Sequence, residues 1–280
     1  MPFDATGKVS LDHLYVQDDP RAYFGALREL GYCIPQLAKP YFAKLVQDHR
    51  EARRLGEGER PTVVDVGCSY GVNAALLGCD ASIDELYERY GDADAAGLTR
   101  DALLARDRAF VRSRSPLDAP RFVGLDASAP ALAYACEAGL LHDAVHADLE
   151  HDDPTAAERA VLGRADLVVS TGCLGYVTER TIRRVAEAAT DRLPWMAHFV
   201  LRMFPYAPVA ESLHELGYET VHVEGVFRQR RFASAEEQAL VLDSLSGVGL
   251  DPDGLESDGW LYAQLHISLP TDTKDREGTG

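Results

Sequence analysis

From Pro61 onward, short apolar runs rich in β-branched residues alternate with stretches of helical periodicity. Strands of a parallel sheet read as such runs, because crossover helices cover both faces of the sheet. The runs predict strands at residues 62–66, 121–125, 144–147, 166–170, 197–203, 220–227 and 260–268. We therefore expect an α/β domain over residues 61–270, with a doubly wound, mostly parallel seven-stranded sheet of Rossmann-like type that closes with an antiparallel edge.

Two helical regions are expected outside this alternating pattern. Residues 1–60 should form an N-terminal helical cover, since aromatic and aliphatic side chains recur there at helical spacing. One helix should end at Gly31 and a second should follow Pro40. Residues 78–120 are too long for a single connection and hold two capped helical patterns, which predicts a helical insertion. The polar residues 271–280 are expected to be disordered.

Charge and cysteine content argue against several classes of function. Asp and Glu outnumber Lys and Arg by 45 to 28, and the net charge of −17 would repel a phosphate backbone, so no nucleic-acid partner is expected. The five cysteines are spread out without a CxxC pair, which predicts neither disulfides nor a metal site. No apolar run nears the ~20 residues of a membrane span, and the first residues lack signal-peptide features. A cytoplasmic chain without a membrane partner is therefore expected.

The segment after the first strand has the composition of a ligand-binding turn. Gly67 and Gly71 lie four residues apart, between the strand and a helix that begins near Ala74. Glycines let the backbone turn sharply and approach a ligand closely, and a helix start offers free N–H groups. The same residues also match Gly-x-Ser-x-Gly, the nucleophile elbow of α/β-hydrolases, with Ser69 as nucleophile. Only helix-like sequence precedes this strand, whereas a hydrolase elbow follows several strands, and this favours a cofactor loop.

Polar residues also follow the next three strands. Asp126 ends the second strand, where an acidic residue can accept hydrogen bonds from ribose hydroxyls. Asp148 follows the third strand beside Leu149, so a carboxylate and an apolar side chain are available to an adenine ring. Ser170 and Thr171 end the fourth strand. Either acid alone would more simply cap a helix, but both together with the glycine loop favour a ligand site.

These four segments resemble the class I S-adenosylmethionine-dependent methyltransferases, over roughly residues 61–269. The resemblance implies that S-adenosylmethionine lies across the carboxyl ends of the first strands, and that no metal is needed. The cofactor-binding residues that it implies are Asp65, Gly67, Ser69, Gly71, Asp126, Ala127, Asp148, Leu149, Ser170 and Thr171. Two features depart from the family pattern: Ser69 replaces the middle glycine of the loop, and the insertion delays Asp126.

The resemblance implies an enzyme that transfers a methyl group in line to a small molecule, in specialised metabolism. An alternative is attack on the aminopropyl chain of the cofactor, for example cyclisation to azetidine-2-carboxylate with release of methylthioadenosine. A third alternative is a binding protein that keeps the cofactor fold without catalysis. The late strands and the insertion also offer surfaces for a homodimer.

Aromatic residues are the candidates for the acceptor side of the site. Tyr176 follows the fourth strand and is the candidate catalytic residue, either as a cation–π partner of the sulfonium or as a hydroxyl that orients the acceptor. The substrate-facing candidates are Tyr23, Tyr32, Tyr176 and Phe204. Three histidines, His198, His222 and His266, fall within predicted strands, where a structural role is expected.

Overall fold

The computed structural model describes residues 7–271 of the chain. Most of the tail that was expected to be disordered, 271–280, lies outside the described residues. Its first residue is ordered, since Thr271 donates its backbone N–H to the Gly217 carbonyl at 2.8 Å. The strands are β1 (Thr62–Val66), β2 (Arg121–Asp126), β3 (Asp143–His146), β4 (Leu167–Thr171), β5 (Trp195–Leu201), β6 (Tyr218–Arg231) and β7 (Trp260–Pro270).

The seven strands form one sheet in the order β3-β2-β1-β4-β5-β7-β6. Strands β1 to β5 pair in parallel, and β7 runs antiparallel between β5 and β6. The order from β3 to β5 is that of a Rossmann sheet, in which the topology switches between β1 and β4 and leaves a crevice at their carboxyl ends. The predicted seven-stranded, mostly parallel sheet with an antiparallel edge is confirmed.

Helices lie before, within and between the strand units. The cover contains α1 (Asp12–Tyr15), α2 (Arg21–Glu29) and α3 (Ile34–Arg53), and the insertion contains α5 (Ile83–Gly91), α6 (Ala93–Gly97) and α7 (Arg100–Arg114). The others are α4 (Val72–Gly78), α8 (Ala129–Ala138), α9 (Ala156–Leu162), α10 (Glu179–Glu187), α11 (Ala207–Glu215) and α12 (Ala235–Gly247). Within residues 7–271, no helix is long and apolar enough to span a bilayer.

Two elements, α3 and β6, differ most from their predicted bounds. Helix α3 begins at Ile34 rather than after Pro40, because Pro35 in its first turn lacks an N–H that would have no helical partner there. Pro40 lies inside the helix. Strand β6 begins before residue 220 and continues to Arg231, since it pairs with β7 across two register shifts. The break at Gly31 is confirmed, with φ +61 at that residue.

The cover and the insertion share one hydrophobic core with the sheet. Phe24 of α2 stacks on Tyr90 of α5 with ring centroids 4.6 Å apart, and Phe42 of α3 packs edge-on against Phe199 of β5 at 5.6 Å. Asp107 of α7 is buried and accepts hydrogen bonds from the hydroxyls of Tyr90 and Tyr134. These contacts fix the N-terminal helices on one face of the sheet, beside the carboxyl ends of β1 and β4.

Candidate functional site

A cleft of about 410 Å³ lies at the carboxyl ends of β1, β2 and β4, at the topological switch point. One side of it comes from the ends of these strands and the loops that follow them. The other side comes from the cover helices, the segment before them and the end of β6. Its lining residues are Lys8, Val9, Leu11, Tyr15, Val16, Tyr23, Leu27, Tyr32, Gly67, Ser69, Asp126, Ala127, Ser128, Thr171, Gly172, Cys173, Tyr176, Gln229 and Arg230.

The glycine loop, residues 67–71, owes its shape to three residues in the left-handed region. Gly67 has φ +70, Ser69 has φ +50 and Gly71 has φ +79. A Cβ on Gly67 would lie 2.5 Å from the Cβ of Cys173, so only glycine fits between β1 and the loop after β4. Serine at position 69 adopts the conformation in which a glycine was expected.

Asp126 and the glycine loop are joined by hydrogen bonds at the mouth of the cleft. Asp126 Oδ2 accepts a hydrogen bond from the backbone N–H of Ser69 at 2.8 Å, and Asp126 Oδ1 accepts one from the backbone N–H of Ser128 at 2.8 Å. Each carboxylate oxygen keeps a second lone pair. Burial raises the pKa of Asp126, and the two backbone N–H groups oppose that shift. Asp126, the residue predicted to bind the ribose, therefore lies in the cleft and can accept further hydrogen bonds.

Asp65 lies behind the loop, outside the set of lining residues. Asn73 of α4 donates one N–H to Asp65 Oδ1 at 3.0 Å and another to Thr171 Oγ1 at 3.2 Å. The other oxygen, Oδ2, is buried and accepts no hydrogen bond from residues 7–271. Burial raises the pKa of Asp65 to about 7. Asn73 thus ties β1 to β4 directly below the cleft.

Five of the ten predicted cofactor residues lie outside the cleft lining: Asp65, Gly71, Asp148, Leu149 and Ser170. Asp148 is more than half exposed and pairs with His151, 2.8 Å away, which lowers the pKa of Asp148. Leu149 is buried in the core on the opposite face of the sheet from the cover. Ser170 is fully buried and bonds to His198 Nδ1 at 2.8 Å. The adenine role of Asp148 and Leu149 and the sulfonium role of Ser170 stay predictions.

The cover places tyrosines over the cleft. Tyr23 and Tyr32, both predicted to face the substrate, are lining residues, and so is Tyr15, whose ring centroid is 5.6 Å from that of Tyr23. Burial raises the pKa of Tyr23 and of Tyr32; the Ser69 hydroxyl opposes the first shift and the Thr171 hydroxyl the second. The two phenols are therefore neutral near pH 7, and each has a hydroxyl of the strand side as its neighbour.

Tyr176 lines the cleft but is half exposed, and a cation of this chain already lies on its ring. The Lys8 Nζ is 3.9 Å from the centroid of Tyr176 and 5.4 Å from that of Phe204. Phe204 is not a lining residue; its ring packs against Gly175, where any side chain would overlap it. In the structure the ring contacts the Lys8 ammonium, and the role of Tyr176 towards the sulfonium stays a prediction.

Several lining residues were missed by the sequence analysis. Lys8, Val9 and Leu11 precede the first helix of the cover, and Gln229 and Arg230 end β6. One interaction joins these two segments, because the fully buried Glu237 accepts the Val9 N–H at 2.8 Å and both guanidinium nitrogens of Arg230. Neither segment has a motif, and only the clustering of arginines near position 230 could have drawn notice.

The cleft lacks the groups that hydrolysis would need. The buried Ser69 Oγ makes no hydrogen bond within residues 7–271, and no histidine is among the described lining residues. A nucleophile elbow requires an imidazole within hydrogen-bond reach of its serine. The same described part of the chain holds no cluster of His, Cys, Asp and Glu suited to a metal. The geometry therefore favours a bound cofactor over a serine nucleophile.

No protein-family model and no curated protein sequence matches the chain. Among solved structures it is similar to the CurJ carbon methyltransferase, with 10% identity and a TM-score of 0.46 over 95% of this chain and 59% of that one. The magnesium protoporphyrin IX methyltransferase of Synechocystis PCC 6803 is 10% identical, with a TM-score of 0.41 over 83% and 79%. A functionally unknown protein of Deinococcus radiodurans R1 is 16% identical, with a TM-score of 0.39 over 77% and 81%.

The chain has a Rossmann-like fold, as its own strand order and the place of its glycine loop show. At these identities and TM-scores, the substrates of the similar structures carry no information about this chain.

Proposed function

We propose that the chain is an S-adenosylmethionine-dependent transferase that methylates a small molecule. The observation that carries the proposal is the junction of the glycine loop with Asp126, at the mouth of a cleft formed by strand ends. S-adenosylmethionine supplies a methyl group bonded to a positively charged sulfur. The residues of the cleft must hold this donor, orient the acceptor and exclude water.

The donor side fits a nucleoside with an amino-acid tail. Asp126 offers a second lone pair on each oxygen to ribose hydroxyls, and Gly67 lets the backbone come close to the tail. Thr171 and the Ser69 hydroxyl lie further along the same wall. We assign the adenine ring to the side of the cleft that holds Ala127 and the exposed Asp148. This assignment is part of the proposal.

The acceptor side fits a small molecule. A volume of about 410 Å³ lies at the lower end of the ~300–1,000 Å³ that small-molecule sites occupy, so little room is left for a large acceptor beside the donor. Tyr23 and Tyr32 are neutral near pH 7 and serve as hydrogen-bond partners, not as bases. Tyr176 forms the outer edge, where an acceptor would enter.

A second candidate function is attack on the aminopropyl chain of the donor. The observation that favours it is the small, tyrosine-lined cleft, which has no histidine among its described lining residues. A nucleophile within the donor itself would need neither a separate acceptor nor extra space. We rank methyl transfer first because most enzymes of this fold carry it out, an argument by analogy.

One assay separates the two candidates. Purified protein is incubated with S-adenosylmethionine, with or without a small-molecule extract, and products are identified by mass spectrometry. We expect S-adenosylhomocysteine to form only with the extract. Methylthioadenosine formed without extract would instead support aminopropyl chemistry. Failure to form either product, together with no S-adenosylhomocysteine binding by calorimetry, would contradict both.

A further inference from the structure

The end of β6 contains a β-bulge that faces the cleft. Arg228 pairs with Tyr262 and Arg230 pairs with the adjacent Leu261, so Gln229 is an extra residue on its strand. A bulge of this kind turns a side chain out of the regular alternation, and bulges are frequent next to active sites. The Gln229 side chain lines the cleft, and the residue is only 6% exposed.

The position of Gln229 is fixed by its neighbours. Its backbone carbonyl accepts the N–H of Cys33 at 2.8 Å, and the Arg231 N–H bonds to the Leu30 carbonyl at 2.7 Å. These two bonds fix the bulge to the joint between α2 and α3. On the other side, a Cβ on Gly172 would overlap the Gln229 Nε2, so the amide lies directly against the loop after β4. Gln229 therefore faces the acceptor side of the cleft.

The carboxamide of Gln229 makes no hydrogen bond to any residue in the range 7–271. Its polar atoms are not among the buried ones without a partner, so the amide faces the open space of the cleft, where a ligand can bond to it. Two cationic side chains, Lys8 and Arg230, line this side, whereas Asp126, at the opposite side, is the one acid among the described lining residues. Arg230 forms an ion pair with the buried Glu237, and Lys8 lies over the Tyr176 ring. Lys8 is therefore the positive charge on this side that is not balanced by Glu237.

We propose that the acceptor is a small carboxylic acid, and that Gln229 is the residue that selects it. The carboxylate accepts a hydrogen bond from Gln229 Nε2 and lies beside the Lys8 ammonium, while the rest of the acceptor lies under Tyr32. In the transfer, the lone pair of the acceptor atom forms a bond to the methyl carbon. The carbon–sulfur bond breaks, its electrons stay on the sulfur of a neutral thioether, and any proton on the acceptor atom is released to solvent. The inference rests on the proposed methyl transfer.

The first test sorts acceptors by charge without knowing their structure. The small-molecule extract is separated on an anion exchanger at neutral pH, and S-adenosylhomocysteine formation is measured with each fraction. We expect the acceptor in the retained fraction, and esterification of its carboxylates should abolish the reaction. Product formed only with the unretained fraction would overturn the inference while supporting methyl transfer. No product with any fraction would contradict the proposed function itself.

The second test changes Gln229 within the full chain. In Gln229→Met the side-chain length is kept and the amide is lost, and in Gln229→Glu a negative charge faces the acceptor carboxylate. With the retained fraction, we expect kcat/KM to fall about 10- to 100-fold in the first variant and further in the second. The dissociation constant for S-adenosylhomocysteine should stay within about twofold, which also shows that the variants fold.

Gln47→Met is the matched control, since Gln47 lies on the exposed side of α3 and its amide donates to Glu51. Its kcat/KM should equal that of the unmodified chain. A Gln229→Glu variant as active as this control, with unchanged cofactor affinity, would show that no carboxylate lies at Gln229.

Discussion

The two sides of the cleft are built in different ways. The strand side, formed by the glycine loop and Asp126, is held by backbone geometry and backbone hydrogen bonds. The cover side consists of side chains that come from distant parts of the sequence, namely those of Lys8, Tyr15, Tyr23, Tyr32 and Gln229. Backbone strain and close backbone contacts tolerate few substitutions. The side chains that line the cover side can be replaced more freely to suit a different acceptor. The donor site should therefore be rigid, and the acceptor site adaptable.

Gly67→Ala should have the largest effect, because it acts on the backbone of the strand side. The new Cβ would lie 2.5 Å from that of Cys173 at φ +70. We expect the free energy of unfolding to fall by about 1–3 kcal/mol from backbone strain and by about 1–3 kcal/mol from overpacking. Urea unfolding measures the sum. The control is Gly254→Ala, at φ +72 in open space, which adds strain alone. Equal losses in both variants would refute the close approach at Gly67.

Asp126→Ala should weaken S-adenosylhomocysteine binding about 10- to 100-fold in calorimetry, because charged hydrogen bonds to the ribose are lost. Asp148→Ala is the comparison on the same side of the cleft. Asp148 is half exposed and already paired with His151, so a smaller loss is expected. A larger loss at Asp148 than at Asp126 would show that the main contact of the nucleoside lies beyond the described cleft.

Asp65 makes the stability of the strand side depend on pH. Burial raises the pKa of Asp65 from 3.8 to about 7, so between those values the folded chain binds a proton that the unfolded chain has released. Stability from this group is therefore greatest below pH 4 and falls as pH rises towards 7. Asp65→Asn should remove this pH dependence. At pH 8 its free energy of unfolding should exceed that of the unmodified chain by on the order of 1–4 kcal/mol. Parallel unfolding curves of the two proteins from pH 5 to pH 8, without cofactor, would contradict the raised pKa.

Tyr32→Phe should have the smallest effect, since it removes one hydroxyl from the adaptable side. The ring stays in place, and the hydroxyl near Thr171 is lost. We expect kcat/KM to fall about two- to tenfold, the size of one neutral hydrogen bond. Tyr41→Phe is the control, because Tyr41 packs on Phe199 and Phe227 away from the cleft. A change of similar size in the control would point to a general effect on packing.

The strand side was largely predictable from sequence. Gly67, Ser69 and Gly71 follow a buried strand within one short segment, and Asp126 ends the neighbouring strand. Parallel strands place their carboxyl ends at one edge, so residues at those ends must meet. Ser170 shows the limit of this reasoning, because adjacent strand residues face opposite sides of the sheet and it faces His198 while Thr171 faces the cleft.

The sheet, the glycine loop and the acid at the end of β2 could be predicted from sequence alone, since they follow from local periodicity and from residues that tolerate a positive φ. The side chains that complete the cleft depend on three-dimensional packing. Gln229 faces the cleft because one extra residue on β6 shifts the register, and Lys8 lies there because Glu237 holds the adjacent backbone. The bond between Val9 and Glu237 joins residues 228 positions apart, and local sequence patterns contain no record of such a contact.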